Sequence, residues 1–228
     1  WITNGAEAGI YVVFATVDPH AGYRGITAFI VERGFPGFAV GKKEDKLGIR
    51  ASSTTELILD GCRVPAANVL GPVGQGYKIA IETLNEGRVG IGAQMIGIAR
   101  GALDATVQYV RERTQFGKPM AEFQGMQFML ADMHMQIEAG RALLYQCTRA
   151  IDAGRLERLT EMASMVKCFC TDMAMKVTTD AVQILGGHGY VRGNHVERMM
   201  RDAKVLQIYE GTNQIQRMVI ARRALGLH

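Results

Sequence analysis

The stretch Lys204-Val-Leu-Gln-Ile-Tyr-Glu-Gly-Thr-Asn-Gln-Ile-Gln216 sets a lone acid, Glu210, among apolar and small residues. An amphipathic run precedes it. Gly211-Thr212-Asn213 follows as a helix-start signal, because a threonine hydroxyl accepts hydrogen bonds from the free amides of a first turn. The acid therefore falls at a break between two helices, where the chain can aim a carboxylate into a cleft. Two readings of Glu210 stand at this point. An acid just ahead of a helix complements the positive end of the helix dipole. An acid in an apolar setting makes a base, since burial disfavours its charged form and raises its affinity for a proton.

Outward from this break the period is helical. A run covers about Glu197 to Ile208, and another about Asn213 to Leu225. Leu159, Met162, Val166, Phe169, Met173, Val177, Ala181 and Ile184 share one face. So do Leu84, Ile91, Met95, Ile98, Ala102, Ala105 and Tyr109, in a helix that starts near Tyr77. A further helix runs from about Phe123 to Ala153, ending at Asp152-Ala153-Gly154. Long helices with short joints predict an antiparallel bundle over 73–228. Gly87, Gly90 and Gly92 weaken their helix, which predicts close approach of another helix or a ligand there. The methionines on these stripes read as core.

Residues 1–72 read as antiparallel strands. Ile10-Tyr-Val-Val-Phe-Ala-Thr-Val17 and Ile26-Thr-Ala-Phe-Ile-Val-Glu32 are apolar and β-branched, with loop chemistry between them. Asp60-Gly61, inside Glu56-Leu-Ile-Leu-Asp-Gly-Cys-Arg-Val64, predicts a hairpin. The fold class is α+β, a partial antiparallel β-domain followed by a C-terminal helical bundle.

Composition narrows the function. The 228 residues are 48% hydrophobic and 21% charged with a net charge of +4, and the cations are scattered among acids. That pattern gives little support to nucleic-acid binding. No apolar run reaches the length of a membrane span. Cys62, Cys147, Cys168 and Cys170 lack CxxC spacing and the histidines lack HxxxH pairing, so reduced thiols and no metal are expected. His188 and His195 read as structural or solvent-facing. Arg201-Asp202 reads as a supporting ion pair near the break. Gly186-Gly187-His188-Gly189 is refused as a dinucleotide loop, because it ends a helix and so presents carbonyls.

Ile208-Tyr209-Glu210-Gly211-Thr212-Asn213-Gln214-Ile215-Gln216 resembles the catalytic signature of the acyl-CoA dehydrogenases. Four further motifs follow that family's order: Trp1-Ile2-Thr3-Asn4-Gly5, Arg113-Thr114-Gln115-Phe116-Gly117-Lys118, Phe123-Gln124 and Gln183-Ile184-Leu185-Gly186-Gly187. The resemblance spans essentially the whole chain. It implies an FAD enzyme that oxidises an acyl-CoA to its trans-2-enoyl form, with Glu210 as base and hydride passing to flavin N5. Trp1 and Thr3 resemble the contacts to the flavin ring. Arg113, Thr114, Gln115, Phe116 and Gln124 resemble residues reaching the FAD of a neighbouring subunit, and Gln183, Gly186 and Gly187 line its adenosine part. Thr212 and Gln214 help hold the cofactor. Without the resemblance Trp1 is a core aromatic, and Arg113 complements a helix end.

Leu84-Asn85-Glu86-Gly87-Arg88 resembles the segment that meets the CoA ligand in members acting on short and short branched chains, so Asn85, Arg88 and Gly211 are expected at the substrate. Arg88 orients the carboxylate or the ligand, unless it is only a surface helix charge. Some relatives take their base from the place of Gly87. Glycine there leaves the role to Glu210, and Glu86 reads as a solvated acid. The resemblance further implies an electron-transfer flavoprotein as acceptor, a homotetramer, and either a mitochondrial matrix or a bacterial cytoplasm. Family members carry more chain ahead of Trp1, so the chain as given is expected to bind FAD weakly and turn over poorly. The rivals are an acyl-CoA oxidase, a glutaryl-CoA dehydrogenase, and an inactive helical fragment that only oligomerises.

Overall fold

A computed structural model describes residues 1–227. In chain order the elements are β1 (Ile2–Thr3), β2 (Ile10–Thr16), β3 (Ile26–Glu32), β4 (Phe38–Val40), β5 (Thr54–Thr55), β6 (Leu57–Leu59), β7 (Val69–Leu70), α1 (Gly76–Glu112), β8 (Thr114–Gln115), β9 (Lys118–Pro119), α2 (Gln124–Asp152), α3 (Leu159–Leu185), α4 (Gly187–Tyr190), α5 (His195–Val205) and α6 (Asn213–Ala224). Two compact units divide between Leu84 and Asn85, inside α1.

In the first unit β2 and β3 pair antiparallel along their whole length, from Ile10↔Glu32 to Thr16↔Ile26, and β7 joins the other edge of β3 at Ala28↔Leu70. Branched and aromatic side chains on a pleated surface stabilise this ribbon. The Tyr11 hydroxyl donates to the carbonyls of Gly5 and Ala8, both at 2.8 Å, and ties the approach from β1 to the sheet. Helix α1 begins on β3: a Cβ at Gly76 would stand 2.6 Å from the Thr27 carbonyl carbon, so only glycine lets the strand and the first turn meet.

The expected Asp60-Gly61 hairpin is not formed. Strand β6 pairs with β4 in the register Phe38↔Leu59 to Val40↔Leu57, and the Asp60 amide donates to the Gly37 carbonyl at 2.9 Å. Phe38-Ala39-Val40 offers β6 an apolar, extended partner earlier in the chain.

In the second unit α3 is central, packing on α2, α4, α5 and α6. Ala163, Val166, Cys170, Ala174, Val177 and Ala181 along it are shut off from water. Gly92 of α1 faces Val166 Cγ1 so closely that no side chain fits. The periodic stripes therefore become helices within a few residues of the expected bounds. Gly186 stops α3 with φ 59. The one-turn helix α4 that follows was not foreseen. Nor was the β8–β9 hairpin, closed by Phe116 (φ 51) and Gly117 (φ 81) in the left-handed pair that a two-residue turn requires. Among the described residues no helix is long and apolar enough to cross a membrane.

Candidate active site

Helix α5 ends at Val205, and α6 starts at Asn213 with Thr212 as its cap, the Ile215 amide donating to Thr212 Oγ1 at 3.3 Å. Between them the Asn213 amide donates to the Gln207 carbonyl at 3.0 Å, closing the chain into a bend. Glu210 and Gly211 both stand in the left-handed region, at φ 56 and 83. Such a conformation costs a glutamate about 1–2 kcal/mol, so the surroundings must hold it there.

The side chain of Glu210 turns inward. Its Oε2 is buried and has no hydrogen-bond partner. A Cβ at Gly87 of α1 would lie 2.8 Å from that oxygen and 3.3 Å from the carboxyl carbon. Gly87 thus leaves the carboxylate its room, as the weakened helix suggested, and Gly92 serves α3 in the same way. Gly90 has nothing within 4 Å of an added Cβ, so no close approach explains it.

The neighbourhood is less apolar than the sequence suggested. Arg88 is 6% exposed; burial pulls its guanidinium below the ordinary value while the charge of Glu210 pulls it back up. Its Nη1 donates to Asn85 Oδ1 at 2.8 Å, and its Nε is buried without a partner. Asn85 Nδ2 donates to Thr160 Oγ1 of α3 at 3.1 Å. One N–H and one lone pair of the Asn85 amide are thereby engaged within the chain, which leaves one of each for a ligand. Glu86 is exposed, as a solvated acid should be. Tyr209 is half-buried, and burial together with the Glu210 charge raises its phenol.

Sequence reading missed a second cation. Lys167 of α3 is wholly buried, and its Nζ donates to the Gly211 carbonyl and to Asn213 Oδ1 at 2.8 Å each. Beside it Asp172 accepts from Gln207, Asn213 and Arg217 at 2.6, 2.7 and 2.6 Å. One signal was available: Lys167 is the sole charge between Glu161 and Asp172.

The other site residues gather in two places. Arg113, Gln115, Gly186 and Gly187 line a depression of about 580 Å³ in the helical unit, with Tyr109 and His188 beside them. Thr114 on β8, Phe116 in the β8–β9 turn, Gln124 at the start of α2 and Gln183 near the end of α3 lie exposed, Phe116 being 94% exposed. Trp1 and Thr3 line a hollow of about 640 Å³ in the β unit with Ile10, Val12 and Leu57, and Trp1 is 91% exposed. Trp1 is therefore no core aromatic. Gln214 is exposed on the first turn of α6, whereas the Thr212 hydroxyl caps that helix. Arg201 sets its fork on Glu197, at 2.6 and 3.0 Å, and the charge of Asp202 acts on it as well. The i,i+4 spacing brings the Arg201 and Glu197 side chains onto one face.

Residues 74–225 match the family model for the C-terminal domain of acyl-CoA dehydrogenase, and residues 1–62 match that for its middle domain. The chain belongs to the acyl-CoA dehydrogenase family. A probable short/branched chain specific acyl-CoA dehydrogenase of Dictyostelium discoideum is 55% identical over 222 residues, covering 97% of this chain and 53% of that protein. The butyryl-CoA dehydrogenase structure from Megasphaera elsdenii superposes with a TM-score of 0.94 at 52% identity, over 98% of this chain and 58% of that one. A glutaryl-coenzyme A dehydrogenase in complex with glutaryl-CoA gives a TM-score of 0.95 at 39% identity, over 100% of this chain and 57% of the other. The chain thus spans somewhat more than half the length of the acyl-CoA dehydrogenases it matches.

Proposed function

We propose that this chain forms the middle and C-terminal part of an FAD-dependent acyl-CoA dehydrogenase acting on short or short branched acyl thioesters, with Glu210 as the base. The observation that carries this is the Glu210 carboxylate, turned inward with a buried, unpartnered Oε2 against the bare backbone of Gly87. A buried acceptor without a donor is costly, and it persists where a ligand supplies the missing contact. A substrate α-carbon is such a ligand, its proton passing to the waiting oxygen. The buried, unpartnered Nε of Arg88 sits near the same charge, and its role is to orient the carboxylate or the thioester.

The residues also fit FAD. Trp1 and Phe116 are large aromatic faces that nothing in their own units covers, and Arg113 offers a forked cation beside Gly186 and Gly187, whose missing side chains admit a ligand to the backbone. FAD supplies, when bound, the acceptor for the hydride that leaves the β-carbon. Thr3 presents a hydroxyl in the hollow shared with Trp1, in keeping with a donor to the ring edge. Short-chain substrates are favoured by the names of the relatives in Dictyostelium and Megasphaera. An electron-transfer flavoprotein as acceptor and a homotetramer complete the reading.

The test is flavin bleaching by a panel of acyl-CoAs in the FAD-loaded enzyme. Butyryl-CoA or a short branched thioester should reduce the flavin fastest, and Glu210→Gln should lower the rate about 10²–10⁴-fold. Undiminished turnover in Glu210→Gln would remove the base from this position. Peroxide or CO₂ among the products would mark an oxidase or a decarboxylating dehydrogenase instead.

A further inference from the structure

Behind the bend lies a group of buried polar side chains that proton abstraction does not itself require. Lys167 in the middle of α3 and Gln216 on α6 are both completely buried. Gln216 Nε2 donates to the carbonyls of Glu210 and Gly211, each at 3.2 Å. Lys167 Nζ reaches the Gly211 carbonyl from α3 at 2.8 Å. Two helices thus send donors to one peptide oxygen, directly after the residue whose carboxylate is unpartnered. Gly211 is fitted to this convergence, for a Cβ there would lie 2.5 Å from Gln216 Nε2.

Carbonyls in a left-handed bend have lost their helical donors, and buried ones must find others. Water or a main-chain amide would meet that need. A buried ammonium is a costly substitute, since desolvating a lysine costs several kcal/mol even after relaxation. The charge therefore calls for a role that a neutral donor lacks. Its titratable neighbours are Arg88 from α1, the Cys168 thiol and Asp172 on α3, and Glu210 at the bend. Asp172 is already engaged by Gln207, Asn213 and Arg217. Glu210 is the acid that retains an unengaged oxygen.

We propose that Lys167 and Gln216 are positioning residues for Glu210, fixing its left-handed bend from two helices, and that the Lys167 charge also favours the ionised carboxylate ready to take a proton. This rests on Glu210 being the base. Burial brings the Lys167 ammonium down to about 8, with the surrounding acids acting against that fall, so the cation is present at neutral pH.

The experiment compares wild type, Lys167→Met and Gln216→Met as FAD-loaded holoenzymes, with Glu210→Gln as control. Butyryl-CoA kinetics are read across pH together with melting temperature. Both variants should lose kcat about 10- to 100-fold, the scale of a misplaced reacting group, with KM changed less than about threefold. Lys167→Met should also move the acidic limb of the kcat/KM profile to higher pH, because an opposite charge that favoured the ionised base is gone. Gln216→Met removes no charge and should leave the limb in place.

A folded Lys167→Met with the wild-type limb overturns the proposal, and so does a folded Gln216→Met with wild-type kcat. A lowered melting temperature with kcat and limb unmoved marks a merely structural role and overturns it as well. Should Lys167→Met not accumulate, Lys167→Gln keeps a donor without the charge and is read by the same limb. If Glu210→Gln turns over like wild type, the base assignment falls and this inference with it. If Glu210→Gln is dead while both Met variants match wild type, only the positioning fails.

Discussion

Position 87 shows how much one missing side chain decides. With a Cβ there only 2.8 Å from Glu210 Oε2, Gly87→Ala forces the carboxylate to shift by some tenths of an ångström. The fold should welcome the change, because alanine in a helix interior is worth about 0.5–1 kcal/mol over glycine. We therefore expect melting temperature unchanged or raised while kcat falls about tenfold. Activity kept at the wild-type level would mean that the carboxylate is not held where the reaction needs it. Glu210 itself was legible, as a lone acid before a Gly-Thr-Asn helix start. Lys167 was not, because helical periodicity assigns a lysine to the solvent side and says nothing of a carbonyl reaching it from residue 211. Asn85 was read as a ligand group, and its additional bonds to Arg88 and Thr160 are ones that only tertiary packing could show.

Among the elements, the α1–α3 crossing depends on Gly92 lying against Val166. Gly92→Ala overpacks that crossing and should cost about 1–3 kcal/mol in denaturant unfolding. Val166→Ala in the same chain should return part of the loss, so that the pair is non-additive in a double-mutant cycle. Strict additivity would show that the crossing relaxes freely. The long helices were readable because each repeats an apolar stripe over many turns and ends at a glycine or a capping residue. Strands were less so. Asp60-Gly61 has hairpin chemistry, but the partner of β6 is Phe38-Ala39-Val40, some twenty residues earlier. Local signals name a turn; they do not choose which strand pairs with which.

Across the whole molecule the buried charges set how stability follows pH. Lys167 titrates at about 8 in the fold against 10.5 ordinarily, so between those values the unfolded chain binds more protons and this group's contribution to stability rises with pH. The unfolding free energy of wild type minus that of Lys167→Met should increase over that window. Asp172 behaves oppositely. Burial pushes it up, but bonds from Gln207, Arg217 and Asn213 together outweigh burial and hold it below 3.8. Its contribution is present above 3.8 and is lost as pH falls through the lower folded value, so the deficit of Asp172→Asn should disappear in acid. Flat differences in denaturant titrations over either range would count against these assignments. The placement of Lys167 has a dynamic consequence too. It rides on α3, which is packed on several sides, and such a segment exchanges its amide hydrogens only when the surrounding unit opens globally. Fraying of the final turns of α6 therefore leaves residue 211 tethered, and the reactive acid keeps its aim through the fast breathing of the chain end.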